Sequence, residues 1–232
     1  MGLPIQQTPE YRCTLNDNRE VKFRPFLVKE QKYLLIASES NDSVQILDAI
    51  TKLIDSVTFG TVDTKKLSMA EMEYLFLQIR SKSVGENIKM TLYCTDLDCN
   101  GTGEASVNLD DVKLTEQVAD KRVQISEDIF LDLRIPNARE IAESEKLDGS
   151  DRLIKLATFA IDTVYDSDSV YKASEFSDSE ILEFVENLTV DQMNHIRDFL
   201  DDMPSVTMNV SYVCDLCSKT CERVLRGMDN FF

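Results

Sequence analysis

The sequence predicts an α+β fold, and three observations lead there. Two cysteine hooks, Cys94 with Cys99 and Cys214 with Cys217, each follow a run of alternating apolar residues. Alternation of period 2 places one side of a strand on a core. Between these strand-like stretches lie segments whose apolar residues recur every three or four positions, and capping signals open several of them. Two hooks on β elements describe a β-rich, zinc-ribbon-like module, joined here to a helical lobe.

The opening segment alternates through Tyr11, Cys13 and Leu15, turns at Asn16-Asp17-Asn18, and resumes with Val21 and Phe23. It reads as a β-hairpin, because Asn and Asp tolerate the turn conformation. Pro25 ends the second strand or holds it at an edge. Leu34, Leu35 and Ile36 lead towards Val44, Leu47, Ile50, Leu53 and Ile54, a helical spacing stopped by Gly60. Ser68 and Glu71 form a capping box for a helix carrying Met72, Leu75, Phe76 and Ile79, halted near Gly85.

Ile88 to Tyr93 then reads as a strand entering the first hook. Asn100-Gly101-Thr102-Gly103 supplies turn residues, and Ala105, Val107 and Leu109 alternate after it. Another strand pair spans Val123 to Ile135 across Ser126-Glu127-Asp128, ended by Pro136. Asn137 caps a helix carrying Ile141 and Leu147, broken at Gly149. Ser150 is positioned to cap the next, whose wide apolar stripe runs from Leu153 to Val164. Ser177 with Glu180 is a further capping box, and Asp191 leads a last helix that ends before Pro204. The strand Val206 to Val213 returns to the second hook. The expected organisation is a single compact domain over 1–232. Its cysteine-hook β module covers about 86–135 plus 205–232, and its helical parts about 34–85 and 137–203. No repeat or Pro/Gly linker interrupts it.

Thiolates are soft, anionic ligands, and two such hooks meeting at one point make a tetrahedral S₄ site that suits structural zinc. Cys94, Cys99, Cys214 and Cys217 are therefore the metal candidates. They join chain positions roughly 115–120 residues apart, so the metal would staple distant segments. Cys221 lies four residues after Cys217 and is placed to replace a hook member if that segment is helical. Cys13 reads as a small core residue. Three other readings of the hooks stay open: disulfides, a Cys-x-x-Cys redox pair at Cys214 and Cys217, and free buried thiols. The hydrophilic stretch from Gln6 to Arg12 argues against a secretory signal, and so against the oxidising compartment that disulfides need.

Lys and Arg number 25 against 42 Asp and Glu, a net charge of −17. That balance disfavours a phosphate-backbone binder and an anionic lipid surface, so neither nucleic acid nor membrane is an expected partner. No stretch approaches the roughly 20 apolar residues of a membrane span. Between Asp162 and Asp202 only Lys172 and Arg197 oppose a dense run of acids. Such a run is ordinarily a solvated helical face, or else an electrostatic docking surface for a basic protein. No catalytic constellation is evident. The one histidine, His195, has no local nucleophile, and Gly101-Thr102-Gly103 lacks the lysine and helix start of a phosphate loop. A catalytic zinc keeps an open position, whereas four cysteines close the shell. The chain reads as a non-enzyme without a small-molecule substrate. The terminal Phe231-Phe232 is expected to be buried, against its own domain or in a partner.

Several strings occur together: Leu3-Pro4, the run from Val21 through Arg24 and Lys29 to Glu30, Glu73 to Arg80 followed by Lys82 to Gly85, and Leu225 to Phe232. In this combination the chain resembles the baseplate hub protein family of T4-like contractile-tailed bacteriophages. The resemblance implies a structural or assembly role beside other phage tail and baseplate hub proteins. It implies a location in the host cytoplasm during assembly, with the virion tail baseplate as the alternative. It transfers no catalytic residues. Lys22, Arg24 and Lys29 become candidate contacts, and Tyr74, Leu77 and Gln78 lie on either core or interface. Two rival readings are a zinc-ribbon adaptor that binds a basic host protein and a thiol redox enzyme.

Overall fold

A computed structural model of the chain describes residues 8–39, 42–116 and 120–227. Leu3, Pro4, Met228, Phe231 and Phe232 lie outside the described residues. The chain opens with strands β1 (Tyr11–Thr14) and β2 (Glu20–Phe23), then helices α1 (Val28–Ser38), α2 (Ser43–Val57) and α3 (Met69–Val84). Strands β3 (Asn87–Tyr93), β4 (Thr102–Asn108), β5 (Lys113–Leu114), β6 (Arg122–Gln124) and β7 (Phe130–Leu133) follow. Next come α4 (Ala138–Ser144), α5 (Gly149–Ala160), β8 (Ile161–Tyr165), β9 (Val170–Lys172), α6 (Asp178–Glu186) and α7 (Val190–Asp201). The chain closes with β10 (Val206–Val213) and β11 (Thr220–Arg226). These elements gather into two compact units, Met1–Thr115 with Ser205–Phe232, and Glu116–Pro204.

In the first unit β1 and β2 form the expected hairpin, with Cys13 opposite Val21 and Tyr11 opposite Phe23. Asn18 takes the left-handed conformation at the turn, φ 63°. Cys13 is buried, and the loss of hydration pushes its thiol up to about 11, so it packs as a neutral side chain. Asp42 caps α2 by accepting from the Val44 and Gln45 N–H groups, and Val44, Leu47, Ile50, Leu53, Ile54 and Val57 turn inward. The capping box at Ser68 and Glu71 starts α3. That helix is buried on most of its circumference, as expected of a helix in the middle of a core. Leu77 is fully buried, while Tyr74 and Gln78 are half-buried, so this string serves packing.

Arg24 and Glu30 also turn inward. Glu30 is 3% exposed and takes hydrogen bonds from Arg24 Nη2 at 3.0 Å, Ser56 Oγ at 2.9 Å and the Leu27 N–H at 2.7 Å. Burial opposes its ionisation, but these donors outweigh it and hold the carboxyl at about 2. Arg24 is therefore a fold residue, and Lys22 is paired with Glu10 at 2.6 Å. Lys29, itself exposed, also reaches Glu30 at 3.6 Å, so all three basic candidate contacts already have partners within the unit.

In the second unit β6, β7, β8 and β9 form one antiparallel sheet in that order. Its buried centre combines Leu131, Leu133, Ala157, Ile161, Ile196 and Phe199 from strands and helices. The strand pair near Val123 and Leu131 belongs to this sheet and not to the cysteine-bearing strands. The sequence reading placed Leu153 to Val164 on one helix. The structure ends that helix at Ala160 and makes Ile161–Tyr165 a strand, with Leu131 opposite Val164. The apolar positions satisfy both periods, and β-branched Ile161, Thr163 and Val164 suit the pleat once β7 lies alongside. Two helix starts also move. Asp148, not Ser150, occupies the cap of α5, and Thr189 with Gln192 forms the capping box of α7.

Candidate metal centre

Two hairpins build the centre, both in the first unit. β3 and β4 pair antiparallel, with Tyr93 opposite Thr102, and the first hook is the loop between them. The Cys94 N–H donates to the Gly101 carbonyl at 2.8 Å and closes that loop. β10 and β11 pair with Val213 opposite Thr220, and the second hook is their loop. Here the Cys214 N–H donates to the Lys219 carbonyl at 2.9 Å, and Ser218 turns through a left-handed φ of 58°. Met208, Val210, Tyr212 and Cys214 all face inward from β10, as the alternation predicts. The segment with Cys221 is a strand, not the helix that would have carried Cys221 into the ligand position.

Glycine brings the hairpins together. A Cβ on Gly103 would sit 2.2 Å from the Val213 carbonyl oxygen, and one on Gly101 would sit 2.6 Å from Cys214 Sγ. The Asp215 N–H then donates to the Thr102 carbonyl at 2.8 Å across the junction. The Tyr212 hydroxyl donates to the Tyr93 carbonyl. These glycines serve close backbone approach, a role beyond the turn residues the sequence suggested.

The sulfurs of Cys94, Cys99, Cys214 and Cys217 all lie within 4.8 Å of one another. Cys94 and Cys217 are 3.7 Å apart, and so are Cys99 and Cys214. Four sulfurs at a zinc–sulfur bond of about 2.3 Å define a tetrahedron with edges of about 3.8 Å. A disulfide needs about 2.05 Å. The spacing therefore fits four ligands around one ion, and the donor set is soft. Cys221 is a fifth sulfur, fully buried and 3.7 Å from Cys94, and it is not one of the four that lie mutually within 4.8 Å.

Backbone N–H groups aim at these sulfurs, as metal-thiolate knuckles require. Asp96 N–H lies 3.4 Å from Cys94 Sγ, and Gly101 N–H 3.4 Å from Cys99 Sγ. The Cys217 N–H, and then that of Leu216, favour the Cys214 thiolate and bring it down to about 7 despite desolvation. On Cys94 the Asp96 N–H also favours the thiolate. Burial and the neighbouring sulfurs outweigh it and push the thiol up to about 12. One sulfur thus ionises readily while its neighbour resists, because negative charges this close repel. A dication held by Cys94, Cys99, Cys214 and Cys217 would offset that repulsion and favour the thiolate form of all four. Lys219 Nζ reaches Asp96 Oδ2 at 3.2 Å across the hooks, an exposed pair of small energetic weight. His195 is exposed on α7 in the other unit.

The family model described as T4 bacteriophage base plate protein matches residues 8–232. A curated relative, the baseplate hub assembly protein gp26 of Enterobacteria phage T4, is 25% identical over 214 residues. That match covers 91% of this chain and 92% of the relative. No solved structure matches the chain.

Proposed function

Because the chain belongs to the T4 bacteriophage base plate protein family, we propose that it helps to build the hub of a contractile tail baseplate through protein–protein interfaces. The match along nearly the whole chain carries this reading. It is supported by a relative whose own name is that of a hub assembly protein. We further assign structural zinc to Cys94, Cys99, Cys214 and Cys217, on the 3.7 Å sulfur spacing. The ion closes its shell on protein sulfur and joins the β3–β4 loop to the β10–β11 loop. It supplies charge and cross-linking, and no chemistry on a substrate. The protein works in the infected cell and in the tail baseplate, and it is not an enzyme.

A phage whose copy carries Cys94→Ser with Cys214→Ser tests both parts together. Baseplates should stall without a complete hub, and the purified variant should carry no zinc where the parent carries one per chain. Normal tails from a phage that lacks the chain altogether refute the assembly role. A metal-free parent protein with intact tails refutes the zinc alone.

A further inference from the structure

The second unit holds most of the acidity. Residues 116–204 carry 22 Asp and Glu against 9 Lys and Arg, so −13 of the chain's −17 lies there. Within it is an apolar groove of about 350 Å³. Ile161 and Val164 of β8 lie along it with Ile129, and Ile181 and Phe184 of α6 form one wall. Tyr171 and Phe176 line it at the surface, 39% and 42% exposed, with ring centroids 6.3 Å apart.

The two polar residues of the lining are already engaged. Asp166 accepts from the Tyr171 hydroxyl at 2.9 Å and from the Ser169 N–H at 2.7 Å. Glu180 accepts from the Ser177 N–H at 2.8 Å in the capping box of α6. Both carboxylates thus serve local donors, and the rest of the lining is mainly apolar. The volume also sits at the floor of the roughly 300–1,000 Å³ used for small-molecule ligands. A large apolar side chain offered by a polypeptide needs no polar lining, because its own backbone fixes it. Asp168, Glu175 and Asp178, all exposed, lie within two residues of lining residues in the chain; against them stand Lys172, next to Tyr171, and Lys155, 3.9 Å from Asp178. A second copy of this chain would bring the same acidic surface and be repelled.

We propose that this groove receives one large apolar or aromatic side chain from a Lys/Arg-flanked segment of a partner protein. The proposal rests on the reading that the chain works through protein interfaces, and it adds the partner's chemistry.

The test uses the full chain, which contains no tryptophan. A short amidated peptide of lysine and alanine with one central tryptophan is titrated in, and its own fluorescence reports binding. Saturable binding with a blue shift is expected, weakened at least about tenfold as salt rises from roughly 0.05 to 0.5 M. Phe176→Ala should weaken it about tenfold. The triple variant Asp168→Asn, Glu175→Gln, Asp178→Asn leaves the groove intact and should weaken it similarly, with the salt effect reduced. Unchanged circular dichroism and denaturation midpoints show that both variants fold. No binding, equal competition by a peptide with alanine in place of tryptophan, or equal binding of a glutamate-flanked peptide overturns the proposal. So does a stable dimer abolished by Phe176→Ala. Tail assembly does not enter these readouts, so a failed assembly role and a failed groove are told apart.

Discussion

If the four sulfurs hold one ion only in the folded chain, stability must rise with free zinc in a fixed proportion. A ligand that binds the native state alone adds RT ln(1 + [L]/Kd), which is about 1.4 kcal/mol per tenfold of free metal above Kd. For a chain of this length about 1 kcal/mol moves the midpoint by roughly 2–4 °C, so each decade should raise it by about 3–6 °C. The informative variant is Cys214→Ser. Cys214 is buried, lies 3.7 Å from Cys99 and receives the hook's N–H groups, so serine keeps the packing while removing the soft donor. Urea denaturation in a series of zinc buffers should give the predicted slope for the parent. For the variant it should give a flat line across the same range. A parent whose unfolding free energy does not change with free zinc refutes the site. A Cys214→Ser slope equal to the parent's refutes the ligand assignment.

Cobalt substitution separates the fourth ligand from its neighbour: Cys217→Ser should lose the thiolate-to-cobalt absorption of a four-sulfur site. Cys221→Ser should keep it and lose only packing stability. Gly103→Ala should destabilise by about 3 kcal/mol by urea denaturation, since its Cβ would lie 2.2 Å from the Val213 carbonyl oxygen. Glu30 has a folded value of about 2, below the 4.5 of the free side chain, so its contribution is present above pH 4.5 and disappears as pH falls through 2. The difference in unfolding free energy between the parent and Glu30→Gln should therefore shrink by about 3 kcal/mol from pH 6 to pH 2. Ser68→Ala removes the acceptor for the Glu71 N–H and should cost about 1 kcal/mol.

The gathering of the four sulfurs was legible in part because a hook is local. A tight turn between alternating strands places both of its sulfurs by itself, and the two hooks differ in spacing without changing that logic. Capping boxes at Ser68 and Ser177 were equally local and stood where the sequence placed them. What escaped was non-local. Ile161–Tyr165 is a strand because Phe130–Leu133 pairs with it, and nothing within five residues could report that partner. Strand β5 is two residues long and exists through Val206 and Thr207. The role of Gly103 depends on Val213, 110 positions away, and a glycine in a turn-rich string gives no sign of it. Arg24 looked like a surface cation because its pair with Glu30, though only six residues on, is buried by way of Ser56 in α2, 32 residues on.

The hooks and the rest of the first unit differ in how much apolar surface they bury, and that difference bears on what a metal at the hooks would contribute. Phe23, Leu53, Ile54, Phe76 and Ile79 are fully buried, so apolar burial is the main force in that part of the unit. Around the cysteines the buried set is small, chiefly Ala105, Tyr212, Cys94, Cys214 and Cys221, while Cys99 is half-buried and Cys217 exposed. Beyond it Tyr93, Leu97, Val213 and Leu216 are exposed, Leu97 completely. Apolar burial is thus too thin to fix two loops 115 residues apart in sequence, and a few backbone hydrogen bonds add only about 1 kcal/mol each. The proposed four-sulfur ion would supply rigidity where the core runs out. With the loops cross-linked in this way, the exposed side chains of Leu97 and Leu216 would be held in fixed positions on the surface of this unit.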